Sequence, residues 1–237
     1  MKRFFKVTGM IAGTIFTLAL FAVEVAAVGA FAYVDSYSKE RGVGAELATR
    51  RIVIDAGHGG RDAGVSGSGG TKESEVALKI SNFLYEELQR QGMEVHMTRE
   101  GEAGLYDNDV PNRKKDDMVK RHKIIQAVKP DLVVSIHLNS YPRDRAVHGI
   151  QCFYHVEGES GKPFAEAIQK HLNDTDLFGR DKNAAKGDYF ILETEYPSVL
   201  IECGFLSNPE EEQKLATEGY QRLLASEIAR AIVASFS

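Results

Sequence analysis

The stretch Arg51-Ile-Val-Ile-Asp-Ala-Gly-His-Gly-Gly60 has the pattern of a buried strand that runs into a glycine turn. Ile52, Val53 and Ile54 are β-branched, which suits a buried strand. Gly57, Gly59 and Gly60 allow a tight turn and leave His58 projecting at the strand end. Strand ends of α/β scaffolds are where ligand-binding side chains are mounted. A histidine there needs partners delivered to the same level by other strands.

Downstream, strand and helix patterns alternate. Val76, Ile80, Phe83, Leu84 and Leu88 form a helical stripe within 74–91. A strand over 93–98 follows, then a loop over 101–110, and Pro111 opens a charged helix to about Val128. The most apolar strand spans 131–137, and another spans 149–156. A helix over 162–172 precedes a polar stretch with Gly179 and Gly187, and short strands are expected at 189–192 and 198–202. Asn208-Pro-Glu-Glu211 has the signals of a helix start: a cap, a proline in the first turn and a glutamate three residues after the cap. Tyr220, Leu223, Leu224, Ile228 and Ile232 give the last helix its core face. The alternation predicts an α/β sandwich around one mostly parallel sheet, covering 51–237.

The first fifty residues differ in kind. A short basic start with Lys2, Arg3 and Lys6 precedes a stretch, 7–34, that is almost wholly apolar apart from Glu24. Residues 1–34 are expected to be an uncleaved signal anchor with the basic end inside. The alternative is a cleaved signal peptide, with Val25-Ala-Ala or Ala30-Phe-Ala as the small-residue cleavage site. Either places the rest of the chain outside the cytoplasm, on a polar linker over 35–50. The formal net charge of -5 argues against a nucleic-acid partner, which calls for a basic face. Cys152 and Cys203 are far apart, and are read as buried small hydrophobes in preference to a disulfide.

Two further strand ends carry chemistry. In Ser135-Ile-His-Leu-Asn-Ser140 the apolar strand ends in His137, and in Val199-Leu-Ile-Glu-Cys-Gly-Phe205 another ends in Glu202. Glu73 and Glu75 lie where a glycine-rich loop enters the first helix. With Ser74 as the helix cap, Glu73 would be held in the loop and able to turn toward the sheet end, while Glu75 would complement the helix dipole. Two histidines, one carboxylate and an open position make a hydrolytic Zn2+ site. A second carboxylate is then wanted as general base and proton shuttle, a role open to Glu202. Each residue also has a plain alternative. His58 could hydrogen-bond within its turn, His137 could be a satisfied core histidine, and Glu202 could pair with Arg99 or Arg113. Their coincidence at apolar strand ends favours the site. His122 and His171 are read as helix-surface residues and His148 as a rim residue.

The set Ile54-Asp-Ala-Gly-His-Gly-Gly60, Glu73, Ser135-Ile-His-Leu-Asn139 and Ile201-Glu-Cys-Gly-Phe-Leu-Ser-Asn208 closely resembles the zinc-dependent N-acetylmuramoyl-L-alanine amidases. The resemblance runs from about Arg51 to Phe236. It implies that His58, Glu73 and His137 are the zinc ligands, that Glu202 is the catalytic glutamate, and that the fold is a three-layer α/β sandwich. Lys72-Glu-Ser-Glu-Val76 is similar to the family's Glu-Lys-Asp-Val segment, which aligns Glu73, and not Glu75, with the ligand. Ala56 stands where the family usually has proline and Ser140 where alanine is common; neither change removes a ligand. The connection from Asn139 to Gly149 is too short for the helical insertion that resembles an autoinhibitory element in some members, so an open groove is expected. Within the family the chain looks most like the spore-cortex amidases of the CwlD type. That likeness implies cleavage of the amide between N-acetylmuramic acid and L-alanine in peptidoglycan, in cortex maturation or wall remodelling, and an activating lipoprotein as a partner. The rivals are an idle peptidoglycan-binding module and a zinc peptidase that cuts within the stem peptide.

Overall fold

The computed structural model describes residues 47–175, 177–179 and 181–236. The expected leader, 1–34, and most of the linker lie outside the described residues. Among those described, no helix is long and apolar enough to cross a membrane.

Among the described residues six strands form one sheet: β1 (Arg51–Ala56), β2 (Glu94–Met97), β3 (Leu132–Asn139), β4 (Gln151–His155), β5 (Ala185–Gly187) and β6 (Ser198–Phe205). Their order is β2-β1-β3-β6-β4-β5. The pairs β2-β1, β1-β3 and β3-β6 are parallel, and β4 runs antiparallel to β6. The mostly parallel sheet is therefore as expected, with an antiparallel turn-back at one side. Every residue of β6 is buried, as are the first five of β3, which is why these strands appear in the sequence as continuous apolar runs.

Helices cover both faces. On one, α1 (Glu73–Arg90), α3 (Lys162–Asp174) and α5 (Glu218–Ser235) enclose the larger core around Ile52, Ile54, Val134, Ile136 and Ile201. On the other, α2 (Arg113–Val128) and a 3-10 turn (Phe190–Leu192) cover Val53, Val133 and Leu200. A short α4 (Pro209–Leu215) follows β6. Cys152 and Cys203 are buried free thiols, as read.

Four expectations need correction. The segment 189–192 is not a strand but ends in the 3-10 turn, and the edge strand is instead Ala185–Gly187. Its three residues, Ala-Lys-Gly, carry no apolar alternation, because it pairs only with β4. Ser74 is not the cap of α1: Glu73 is its first residue, and the Ser74 amide is taken by the Ala63 carbonyl at 3.1 Å. Asn208 does cap α4, accepting from the Glu210 and Glu211 amides, but Glu211 does not return the favour. Its carboxylate accepts instead from Gly149 N and Phe205 N, at 3.0 and 2.8 Å. Leu223 lies at the edge of its stripe and is exposed.

One buried polar cluster joins β1, β2, β3 and α2. Asp55 accepts from Arg121 Nη1 at 2.6 Å, from Thr98 Oγ1 at 2.7 Å and from Ser135 Oγ at 2.6 Å. Asp117 takes the other side of the same guanidinium, from Nε, at 2.6 Å. Burial would raise the Asp55 pKa, but Arg121 and the three hydrogen bonds outweigh it and hold it down at about 2, from 3.8. A depressed carboxyl pKa stabilises the fold above the unfolded value and loses that effect as pH falls through the folded one. Asp55→Asn should cost about 3 kcal/mol near neutral pH by leaving Arg121 partly uncompensated. In urea unfolding of the two proteins, that gap is expected to shrink between roughly pH 4 and pH 2; a gap that stays constant would remove Asp55 as the titrating partner.

Candidate metal centre and active site

The centre lies where β1, β3 and β6 end, on the face covered by α2. His58 leaves β1 in a left-handed turn, with φ of 59°, a conformation that costs a non-glycine residue energy and must be held by its surroundings. Two buried arginines hold it. Arg99 donates from Nε to the Ala56 carbonyl at 2.9 Å and from Nη2 to the Gly57 carbonyl at 2.7 Å. Arg121 donates from Nη1 to Ala56 O at 2.7 Å and from Nη2 to His58 O at 2.5 Å. Arg99 Nη2 also takes the Ser74 carbonyl at 3.0 Å, which fixes the start of α1 against the same turn.

Glu73 is thereby aimed inward, and is only 3% exposed. Its Oε1 lies 3.1 Å from His58 Nε2 and 2.9 Å from His137 Nδ1. The Leu138 amide donates to Oε1 at 3.2 Å and the Val65 amide to Oε2 at 2.8 Å. Burial opposes ionisation of Glu73, but the two histidines outweigh it and hold the carboxyl well below the usual range. Glu75, the other candidate, faces outward and pairs with Lys72 at 2.8 Å. The loop that leads into Glu73 is held by α4: Glu212 accepts from Gly69 N at 2.8 Å and from Ser68 Oγ at 3.2 Å.

The ligand atoms of His58, Glu73 and His137 all lie within 4.8 Å of one another. The two imidazoles meet edge-on, with ring centroids 5.0 Å apart. Backbone without side chains makes room for them. A Cβ on Gly57 would stand 2.5 Å from the His137 ring, and one on Gly64, where φ is 66°, would collide with the Glu73 carboxylate. Asp62 was not legible in the sequence as part of the site. Its Oδ2 lies 2.9 Å from His58 Nδ1, where a carboxylate fixes an imidazole's tautomer and orientation. Burial alone would lower the His58 pKa; hydrogen bonds to Glu73 and Asp62 outweigh it and raise it.

Glu202 sits beside this group. Its Cα is the register partner of His137 across β3 and β6, on strands about 4.8 Å apart. It is 7% exposed, and among the described residues its buried Oε2 has no hydrogen-bond partner. Burial, opposed by His137 and reinforced by Glu73, pushes its pKa up to about 7. Neither arginine considered as its partner reaches it: Arg99 is spent on backbone carbonyls, and Arg113 donates to the Asn108 carbonyl. The centre thus has a donor set of two imidazoles and one carboxylate, cleared of Cβ atoms, with an unpartnered buried carboxyl beside it. That set fits Zn2+, whose catalytic sites use three N and O ligands and an open position. A second group, His155, Asp188 and Glu193, also brings three ligand atoms within 4.8 Å, but both its carboxylates are exposed. Of the remaining histidines, His122 is half-buried against the Phe190 carbonyl at 2.9 Å, His171 is half-buried 3.3 Å from Glu227, and His148 lines a cleft at the edge of the sheet.

A family model described as N-acetylmuramoyl-L-alanine amidase matches residues 52–234. The germination-specific N-acetylmuramoyl-L-alanine amidase of Bacillus subtilis is 34% identical over 195 residues, 81% of this chain and 81% of that protein. Among solved structures, the CwlD amidase from Clostridioides difficile, determined in complex with the GerS lipoprotein, has a TM-score of 0.75 at 31% identity, over 79% of this chain and 98% of that one. AmiC2 of Nostoc punctiforme, an N-acetylmuramoyl-L-alanine amidase, has a TM-score of 0.68 at 28% identity, over 79% and 97%. The chain belongs to the N-acetylmuramoyl-L-alanine amidase family. Asp62→Ala is expected to weaken Zn2+ binding about 10- to 100-fold, the usual effect of losing such an outer partner. Chelator competition would measure it, and an unchanged affinity would make Asp62 a bystander.

Proposed function

We propose that this amidase hydrolyses the bond between the lactyl carbonyl of N-acetylmuramic acid and the amine of L-alanine in peptidoglycan, with Zn2+ held by His58, Glu73 and His137. The observation that carries the reading is Glu202: a buried carboxyl with one orphaned oxygen, next to a His2Glu donor set. When bound, Zn2+ would polarise the scissile carbonyl and acidify a water molecule.

The protein's own groups do the rest. Glu73 has no free proton to offer, since the histidines and two backbone amides keep it ionised, so it serves as a ligand. Asp62 holds the His58 ring so that Nε2 faces Glu73. Glu202 is the proton carrier. A carboxyl poised near neutrality can take a proton from the attacking water and release it to a departing amine. In that step the water oxygen bonds to the carbonyl carbon, the carbon–nitrogen bond breaks, and the proton passes through Glu202 to the nitrogen of L-alanine.

The likeness to the germination-specific enzyme of B. subtilis supports a role in spore cortex, and the CwlD–GerS complex supports a lipoprotein partner. The apolar segment 7–34 behind a basic start supports export, with the segment kept as an anchor. A peptidoglycan substrate requires the domain to act outside the cytoplasm in either case.

Glu202→Ala should keep Zn2+ and lose roughly 10²- to 10⁴-fold in turnover, the usual span for a general acid–base group. His58→Ala and His137→Ala should lose the metal itself. Metal analysis beside turnover separates the two effects, and near wild-type turnover by Glu202→Ala would refute its role. Mass spectrometry of digested peptidoglycan should show free muramic acid ends and intact peptides that begin with L-alanine. A chelator should abolish their release. Cuts inside the peptide would mean a peptidase, and no cuts with Zn2+ present would mean a binding module.

A further inference from the structure

We propose that the Tyr189 hydroxyl donates a hydrogen bond to the oxyanion that develops at the scissile carbonyl, which makes Tyr189 a catalytic residue. This rests on the amidase reading above. An amide carbonyl under attack gathers negative charge on its oxygen, and donors already in place for that oxygen lower the barrier. Among the described residues, the other strong donors around the site are engaged. Arg99 and Arg121 donate to the backbone that carries His58. Lys182 donates to the Gly149 carbonyl at 3.0 Å and lies 4.2 Å from the centre of the Phe205 ring. Gln151 Nε2 donates to the Asn183 carbonyl at 3.2 Å.

The sheet places Tyr189. Register partners share a face of the sheet, and so does every second residue along a strand. His137, Glu202 and Gln151 therefore form one row across β3, β6 and β4, and Leu200 and Phe153 belong to the next. The rows lie about 7 Å apart, two residues of strand rise. The Tyr189 ring meets the Phe153 ring edge-on, with centroids 5.4 Å apart, on the face that carries Leu200. It thus stands one row from Glu202, a gap that the length of a tyrosine side chain spans. The fold clears the place for it: Gly187 of β5 has no side chain, and a Cβ there would collide with the Tyr189 ring. The backbone at Tyr189 is extended, and its carbonyl accepts from the Leu192 amide at 2.9 Å. The buried Ile191 and Leu192 of the 3-10 turn anchor that segment.

The phenol is left as a donor. Tyr189 is half-buried, and its hydroxyl has no hydrogen-bond partner among the described residues. Burial raises its pKa, and the charges of Glu202 and Glu73 raise it further, so the proton stays on the oxygen. One phenol that feels both carboxylates faces the space that the ligand Glu73 and the proton carrier Glu202 share. The scissile carbonyl has to lie in that space, since it is attacked beside the one group and its amine leaves beside the other. Packing on Phe153 needs only the ring of Tyr189; the hydroxyl adds nothing to that contact.

The test compares wild type with Tyr189→Phe, which keeps the ring on Phe153 and removes only the donor. Both are used as full chains loaded with Zn2+. The substrate is N-acetylmuramoyl dipeptide, and the probe is its phosphinic analogue, in which a tetrahedral phosphinate replaces the scissile amide. In Tyr189→Phe, kcat should fall about 10²-fold, the lower end for loss of one such donor, with KM held within about twofold. Affinity for the phosphinate, measured by calorimetry, should weaken roughly tenfold or more, while bound Zn2+ and Tm stay at their wild-type values. An unchanged kcat overturns the proposal, and so does an unchanged affinity for the phosphinate. A fall in kcat that comes with loss of Zn2+ or a lower Tm overturns it as well, because Tyr189 would then be holding the site together. If wild type itself releases no peptide from the substrate, the amidase reading fails and this proposal with it.

Discussion

The buried pairing of Arg121 with Asp55 is the constraint on which the site depends. An arginine that is 1% exposed is tolerable only where its charge and donors are satisfied. Asp55 and Asp117 supply the charge, and the carbonyls of Ala56 and His58 take further donors. Arg99 completes the arrangement from the end of β2. The backbone that carries His58 is thus fixed by groups from three separate parts of the chain: β1, α2 and the segment after β2. A left-handed histidine would otherwise relax, and its ring would move away from Glu73.

Glu73 is positioned in the same manner, by contacts far from it in sequence. Glu73 begins α1, and its depth in the molecule follows from the loop folding back on it. Val65 N and Leu138 N donate to its carboxylate, and Glu212 of α4 holds the glycine-rich segment just before it. Two glycines then matter for what they lack. A side chain on Gly57 or Gly64 would occupy the space of the His137 ring or the Glu73 carboxylate. The centre is therefore shaped by backbone as much as by its side chains.

Glu202 and Glu73 show how the same chemical group is set to different tasks. Both are buried carboxyls at one end of one sheet. Glu73 is surrounded by two imidazoles and two amides, and stays ionised. The Oε2 of Glu202 has no partner among the described residues, and the pKa of the carboxyl rises to about 7. Desolvation is present in both cases; the donors around each carboxyl decide whether its pKa falls or rises.

Much of this was open to a reader of the residues alone. The apolar runs of β1, β3 and β6 and the stripe of α1 are local patterns, and each follows from burial on a known period. His58, His137 and Glu202 stood out because they end such runs, and the likeness to known amidases selected Glu73 over Glu75. The edge strand β5, the antiparallel course of β4 and the 3-10 turn after Tyr189 were not legible, since short elements at a sheet edge take their form from the neighbour they pair with. Asp62 and the Asp55–Arg121–Asp117 cluster were also hidden. A carboxylate's partner is chosen by three-dimensional proximity across 66 residues in one case and four in another, and no spacing rule encodes that choice. The apolar runs alone specify β1, β3 and β6 and the side chains these strands carry to their ends. Only the tertiary structure decided the register that sets His137 beside Glu202, and the contacts that leave one carboxyl paired and the other alone, because both depend on what packs against what.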